Sequence, residues 1–162
     1  MFKIRKDVFE TNSSSCHCLQ IAPKGLFDKL LNHEYFYCGD IQYDSDYPFF
    51  VNNFEEKYCI DKERFLILLR DFLDREFKRD ENADAIIAFK DIEITKDNID
   101  KIIEIFKKDC CLSMDFERQV INNNNLKDFN IFVDDYIGEN ATTLKEFETI
   151  DGKEIKLVIV HC

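Results

Sequence analysis

The segment DKERFLILLRDFLDREFKR, residues Asp61–Arg79, carries the strongest structural pattern in the chain. Its apolar residues recur every three or four positions; they are Phe65, Leu68, Leu69, Phe72, Leu73 and Phe77. This spacing predicts an amphipathic helix that buries one face in the core and has the Asp61 carboxylate as its N-cap. The opposite face carries charged residues four apart, such as Asp71 and Arg75, which is typical of a solvated helix surface.

Two other segments have helical spacing. A second long helix is predicted from Thr95, whose hydroxyl can cap it, to Asp109. Its apolar stripe consists of Ile99, Ile102, Ile103 and Phe106. A short amphipathic helix is predicted over Leu26–Asn32, directly after Pro23 and Gly25.

Four stretches around these helices have weaker patterns. The segment Ala85–Ile94 fits either a helix or a strand. The adjacent cysteines Cys110 and Cys111 are expected to pack at a helix end, and Asn122–Asn125 is expected to form a polar loop. The aromatic and acidic stretch Tyr35–Cys59 has no steady period, so we expect short strands and long loops there.

The N-terminal part predicts a hairpin. Apolar side chains alternate along Phe2–Glu10, as in a half-buried strand, and Cys18–Ala22 is typical of a second strand. Between them, the asparagine and serines of Thr11–Ser15 favour a turn because their side chains bond nearby backbone groups. The two strands are therefore expected to pair in an antiparallel hairpin.

The C-terminal part predicts further strands. Lys153–His161 has apolar residues on both faces, which favours a central strand covered on two sides. Asp151-Gly152 just before it is typical of a hairpin turn. Thr143 with Glu146 resembles a capping box, which predicts a brief helix ahead of that turn. Upstream, Phe129–Val133 alternates like a strand that ends at Asp134-Asp135.

Together these elements predict an α+β fold over residues 1–162 as a single domain. The expected sheet is mixed or antiparallel, contains the N-terminal hairpin and the C-terminal strand, and is packed by the helices over 61–79 and 95–109. Four Gly and two Pro are too few for a turn-dense β-sandwich. Sixteen Phe and no Trp in a chain that is 45% hydrophobic favour a Phe-rich interior.

The charge of the chain limits its partners. Thirty-three acidic and 22 basic residues give a net charge of −11, which opposes direct binding to nucleic acid or to an anionic membrane. We find neither a secretory signal nor a stretch of membrane-spanning length. Seven cysteines cannot all pair within the chain, so a reducing, cytoplasmic setting is expected.

The run Val8–Cys18, VFETNSSSCHC, concentrates the polar chemistry of the chain. In an extended strand His17 faces the same side as Leu19 and Ile21, which we take as the apolar side, and a matched hairpin register brings Glu10 beside it. This arrangement resembles a nucleophile, base and orienting acid in kind. The catalytic candidates are Glu10, Ser13, Ser15 and His17.

Two other interpretations of this run remain open. Consecutive backbone N–H groups and polar side chains could cradle a phosphate or nucleotide; the residues concerned are Arg5, Asn12, Ser13, Ser14 and Ser15. Alternatively, the serines complete a tight turn while Glu10 and His17 bond each other in the core. Zinc binding by Cys16, His17 and Cys18 with His161 or Cys162 is disfavoured by the ligand spacing, so we expect no metal and no cofactor.

The opening segment, from Arg5 through VFETNSSS to His17, resembles the start of a family of small proteins found in bacteria and their phages. The resemblance covers about the first twenty residues and departs from the pattern at Cys16 and Cys18. It implies an intracellular or phage-borne setting. It implies no particular activity.

Acidic and aromatic residues intermingle after the short helix, and this mixture is typical of protein interfaces. The interface candidates are Asp40, Tyr43, Asp44, Asp46, Tyr47, Glu55 and Glu56. We therefore expect a binding protein that occupies the basic surface of a host or cellular protein and thereby inhibits or regulates it. The alternative is an enzyme or binding protein for a small phosphorylated ligand at Asn12–His17, and the acidity alone is also explained by solubility.

Overall fold

The computed structural model describes residues 15–41, 50–133, 137, 141–149 and 151–161. Six strands and five α-helices lie in this part of the chain. In chain order they are β1 (Ser15–Pro23), α1 (Leu26–Leu31), β2 (Tyr35–Tyr37), β3 (Phe50–Asn53), β4 (Cys59–Asp61), α2 (Lys62–Arg79), α3 (Asp84–Phe89), α4 (Ile99–Lys108), α5 (Cys110–Asn124), β5 (Ala141–Glu148) and β6 (Lys153–His161). The predicted α+β class is confirmed.

Four strands form one mixed sheet in the order β3-β1-β6-β5. Strand β1 pairs antiparallel with β6 along its whole length and parallel with β3. β5 and β6 form an antiparallel hairpin, and Gly152 in its turn has φ 73°, a left-handed conformation that glycine adopts without strain. The prediction that Lys153–His161 is a central strand is confirmed.

The helix predicted at Thr143 and Glu146 is wrong. Both residues lie in β5, where Thr143 is opposite Val158 and Glu146 is opposite Lys156 of β6. The glycine turn places the two segments side by side, so the backbone of residues 141–148 is paired by its neighbour rather than within a helix. A local capping pattern cannot report such a distant partner.

The predicted strand Phe2–Glu10 and most of the turn Thr11–Ser15 lie outside the described residues. Their expected partner is a strand, as predicted, and extends over Ser15–Pro23. At Cys18–Ile21 its two edges are occupied by β3 and β6. These four residues therefore have no free edge for another strand.

Helix α2 confirms the central prediction. The Asp61 carboxylate accepts a hydrogen bond from the Arg64 backbone N–H at 2.8 Å, as expected of the N-cap. Phe77 is wrongly assigned to the core, because it is 56% exposed whereas Glu76 is 6% exposed. Glu76 is held inside by Arg79 and by the side-chain amide of Gln119, which donates to it at 2.8 Å.

The second long helix begins later than predicted. Residues Lys96–Asn98 form a 3-10 turn, and α4 starts at Ile99. The Thr95 hydroxyl accepts from the Asn98 side-chain amide at 3.3 Å and caps no backbone N–H, so its assignment as an N-cap is wrong. The segment that fitted two states, Ala85–Ile94, contains helix α3.

Helix α5 contradicts the predictions for the cysteine pair and for the asparagine loop. Cys110 and Cys111 are exposed in its first turn and do not pack at a helix end. Asn122–Asn124 are its last residues, not a loop, and Asn125 ends it with φ 52°. The Asn124 side-chain amide donates to the Val120 carbonyl at 2.9 Å, which stabilises a helix end that composition alone would not predict.

The strand predicted over Phe129–Val133 is also wrong. It makes one isolated bridge, between Asn130 and Tyr37. The next N–H, that of Ile131, donates to the Glu117 side chain of α5 at 2.8 Å instead of to a strand. Asp134-Asp135, the predicted end of that strand, lies outside the described residues.

The described residues contain two apolar clusters in their interior. The larger lies among the helices and contains Phe36, Phe65, Phe72, Phe106, Phe116 and Phe129 with aliphatic neighbours. The smaller connects the sheet to α1 through Ala22, Leu26, Phe27, Leu30, Tyr37 and Phe54. Among the described residues, we find no helix that combines the length and the apolar character needed to cross a membrane.

Candidate functional site

A cleft of about 480 Å³ opens between β2, β3, β4 and the C-terminal end of α5. The polar and charged residues on its walls include Tyr37, Asp40, Asn52, Glu55, Lys57 and Tyr58. Three segments distant in sequence, within residues 37–40, 51–60 and 125–127, therefore meet at one concavity. Such a concavity with a few polar groups is the usual form of a binding site.

The wall formed by β2 and β4 is held together by backbone hydrogen bonds. These two strands form a second, two-stranded antiparallel sheet in which Tyr37 pairs with Cys59, and the Cys38 N–H donates to the Tyr58 carbonyl at 2.7 Å. The Tyr37 hydroxyl donates to the Asn53 carbonyl at 3.3 Å, which connects this wall to the edge strand β3. Burial raises the pKa of Tyr37 to about 12, so its hydroxyl stays protonated and remains a donor.

Gly39 is required next to this wall. A Cβ atom at residue 39 would lie 2.5 Å from the ring and hydroxyl of Tyr37, and Tyr37 is only 2% exposed. The ring cannot easily move away because it is packed against Phe54, with a centroid separation of 4.8 Å. A side chain at residue 39 would therefore displace the Tyr37 ring, and glycine avoids this clash.

Charged groups at the cleft are already partly paired. Lys57 lies 2.6 Å from the Glu55 carboxylate, and Lys29 lies 3.2 Å from that of Glu56 just outside the cleft. These contacts raise the pKa of both lysines. No described lysine or arginine lies within ion-pair distance of Asp40, so its carboxylate is available to a partner.

The two thiols on the cleft wall are unsuited to covalent chemistry. Burial raises the pKa of Cys38 to about 12 and that of Cys59 to about 12. Both are therefore protonated near neutral pH, and the thiolate is the nucleophilic form. In the part of the chain that the structure describes, no three His, Cys, Asp or Glu side chains are arranged to hold a metal ion.

The predicted serine and histidine site lies largely outside the described residues. This applies to Arg5, Glu10, Asn12, Ser13 and Ser14, and only the backbone of Ser15 is described. The expected contact between Glu10 and His17 therefore remains a prediction. His17 is buried, as predicted, with 6% exposure.

The assignment of the two faces of β1 needs correction. Cys18, Gln20 and Ala22 form the most deeply buried face, at 1%, 0% and 1% exposure. Leu19 and Ile21, on the face of His17, are only half-buried. The reason is that Ala22 packs with α1 in the smaller apolar cluster, so the helix covers the face that is the less apolar one by sequence.

Some of the predicted interface residues lie at the cleft, and the others lie outside the described residues. Asp40 and Glu55 line the cleft, and Glu56 follows directly. Tyr43, Asp44, Asp46 and Tyr47 lie outside the described residues. Sequence reasoning missed Asn52 and the end of α5, because only the pairing of β3 with β1 and the extension of α5 bring them to the cleft.

A second cleft of about 480 Å³ lies between α2, α3 and the start of α5. Its walls carry acidic residues that include Asp80, Asp84, Asp109 and Asp115. Glu76, the buried carboxylate beside it, is already bonded to Arg79 and Gln119. The walls of this second cleft are therefore acidic, and the described carboxylate buried beside it already has hydrogen-bond partners.

No protein-family model matches this chain, and no curated protein or solved structure shows significant similarity to it.

Proposed function

We propose that the chain is a non-enzymatic binding protein that docks a basic segment of a partner protein in the cleft between β2, β3 and β4. The observation that carries this proposal is the cleft itself, where the Asp40 carboxylate, which no described lysine or arginine pairs, shares one concavity with Tyr58, a residue that is 42% exposed. The net charge of −11 adds long-range attraction for a basic partner.

Exposed apolar groups at the cleft support an interface. Val51 is 50% exposed beside Tyr58, and large side chains that lose water on binding are the usual anchors of protein interfaces. The Glu55 and Lys57 side chains are both about half exposed or more. An exposed ion pair of this kind contributes at most about 1 kcal/mol, so an incoming arginine can replace Lys57 at Glu55 with little loss.

The setting that we propose is the bacterial cytoplasm, with a host or cellular protein whose activity is inhibited by the contact. The resemblance of the opening segment to proteins of bacteria and phages supports this setting. The protonated thiols at the cleft support a binding role over a covalent enzymatic one.

The test uses an array of short peptides rich in Arg and Lys, with a matched array in which these residues are Glu and Asp. We expect selective binding to the basic array and weaker binding as salt rises to about 0.5 M. Tyr58→Ala should reduce affinity about 30-fold, the loss expected of an interface anchor worth about 2 kcal/mol. Asp40→Asn should reduce affinity and also flatten the salt dependence.

The matched control is Phe77→Ala, which removes the side chain of a 56% exposed aromatic residue in the last turn of α2 that does not line the cleft. It should bind as the unchanged protein does. Equal binding to acidic and basic peptides, or unchanged affinity in both cleft variants, would overturn the proposal. A nucleotide that stabilises the protein only while His17 is intact would favour the phosphate-ligand alternative instead.

A further inference from the structure

Strand β3 lies at the edge of the main sheet and along the cleft. In the order β3-β1-β6-β5 it is the first strand, so the sheet pairs only one of its two edges. Three of its four residues, Val51, Asn52 and Asn53, line the cleft. The outer edge of a sheet carries backbone N–H and C=O groups that a further strand can pair.

The pairing of β3 with β1 shows which backbone groups face outward. The Phe54 N–H donates to the Ile21 carbonyl at 2.7 Å, and Ile21 is opposite Asn53. In a parallel pair, alternate residues of a strand direct both backbone groups to the same neighbour. The backbone groups of Asn52 therefore face β1, and those of Val51 and Asn53 face away from it.

The outward groups of β3 are accessible at the cleft. The Tyr37 hydroxyl, on another wall of the cleft, donates to the Asn53 carbonyl at 3.3 Å, which agrees with this outward direction. Val51 is 50% exposed, and Asn53 is exposed as well. Among the described residues, no backbone group pairs with the Val51 N–H, the Val51 carbonyl or the Asn53 N–H.

The opposite edge of the same sheet is less suited to an added strand. It is formed by β5, whose register shifts between Thr143 and Lys145. Such a bulge interrupts the regular row of edge groups. At β3, by contrast, Asp40 and Tyr58 share the cleft with the outer edge, so an added strand would carry its side chains past a carboxylate and an aromatic ring.

We propose that the partner segment docks in extended form and adds a strand to the outer edge of β3, with hydrogen bonds to the Val51 N–H and carbonyl and to the Asn53 N–H. Strand addition takes its affinity from main-chain hydrogen bonds and its specificity from alternate side chains. Because alternate side chains of a strand share one face, the segment carries its basic residues at every second position. This inference rests on the proposed function and specifies the conformation of the partner.

The first test needs no variant. Amide hydrogen exchange is followed by NMR in the ¹⁵N-labelled protein, free and saturated with a peptide in which Arg and Thr alternate. Val51 and Asn53 should exchange at least about tenfold more slowly in the complex, because exchange then requires opening of the new hydrogen bonds. Asn52 and Phe54, whose N–H groups face β1, should exchange slowly in both states. Unchanged exchange of Val51 and Asn53 in the saturated complex would overturn the proposal.

The second test alters the peptide backbone. Each nitrogen of the Arg and Thr peptide is methylated in turn, which removes one N–H donor at a time. A strand at a sheet edge uses the N–H groups of alternate residues, so affinity should fall at least about tenfold at every second position and less than about twofold at the positions between. An equal loss at all positions, or a loss with the period of about 3.6 residues of a helix, would contradict strand addition.

The third test alters the edge itself. Val51→Pro removes an outward N–H and no hydrogen bond to β1, and proline is tolerated in edge strands for this reason. We expect it to reduce affinity for the peptide about tenfold or more. Val51→Thr, the matched control, keeps the N–H and the branched side chain and should change affinity less than about twofold. A melting curve verifies that each variant is folded, and the exchange and methylation tests decide if Val51→Pro is not. Equal affinity of a folded Val51→Pro would overturn the proposal.

The same peptides separate this inference from the proposed function. If the Arg and Thr peptide binds and methylation shows no alternation, strand addition is wrong and the basic docking site stands. If a peptide with Ser in place of Arg binds equally well and shows the alternation, strand addition stands and the basic partner is wrong. If neither peptide binds at millimolar concentration, both proposals are overturned.

Discussion

The stability of the protein should fall as pH rises from about 4.5 to about 7 because of one partly buried carboxyl group, that of Glu117 on α5. Burial raises the pKa of Glu117 from 4.5 to about 7, and the negative charge of Asp128 acts in the same direction. The backbone N–H of Ile131, 2.8 Å away, favours the charged form and lowers the pKa by less. The folded state therefore holds this proton more tightly than the unfolded chain does.

The direction and size of the effect follow from proton linkage. Between about pH 4.5 and pH 7 the folded protein binds more protons than the unfolded chain at this group, so the free energy of unfolding decreases as pH rises. The contribution is complete below pH 4.5 and lost above about pH 7. A difference of about 2.5 pH units corresponds to roughly 3 kcal/mol, or about 6–12 °C in melting temperature for a chain of this size.

The perturbation that isolates this effect is Glu117→Gln, which keeps an oxygen to accept from Ile131 but cannot ionise. Urea unfolding is measured by circular dichroism from pH 4.5 to pH 8, with the exposed Glu104→Gln as control. We expect Glu117→Gln to gain about 2–3 kcal/mol relative to the unchanged protein between the ends of this range, and the control to follow the unchanged protein. Parallel curves for Glu117→Gln and the unchanged protein would refute the reasoning.

Two more predictions concern packing and thiol reactivity. Phe116→Ala removes a fully buried ring that contacts four other phenylalanine rings. It should therefore lower the free energy of unfolding by about 3–5 kcal/mol, measured by urea titration. Phe77→Ala, at an exposed site, should change this free energy by less than about 0.5 kcal/mol in the same titration. Iodoacetamide at pH 7.5 should alkylate the exposed Cys110 and Cys111 well before Cys38, because the buried thiol of Cys38 stays protonated. Peptide mass spectrometry gives the order of labelling. Early labelling of Cys38 would contradict its burial in the wall of the cleft.

Much of the architecture was predictable because its signals are local. The apolar spacing of α2 and its Asp61 cap, the alternation in β6 and the Asp151-Gly152 turn each act within a few residues. Where a local signal competed with a distant partner, the distant partner decided. Thr143 became part of a strand because β6 lies beside it.

The candidate site was predictable only in its chemical character. Acidic and aromatic residues between Tyr35 and Cys59 indicated an interface, and Asp40 and Glu55 do line the cleft. The position of Asn52 carried no signal in the sequence. That position depends on the pairing of β3 with β1, more than thirty residues earlier in the chain.

By itself, the sequence determined the α+β class, the main helix and the central C-terminal strand, because hydrophobic periodicity, capping and turn residues act over short distances. Only the tertiary structure decided that Glu76 is buried while Phe77 is exposed, that the most deeply buried face of β1 is that of Gln20, and that three segments distant in sequence meet at one cleft. The physical reason is that burial and pairing depend on which surfaces meet across the fold, and a local pattern contains no information about the surface opposite.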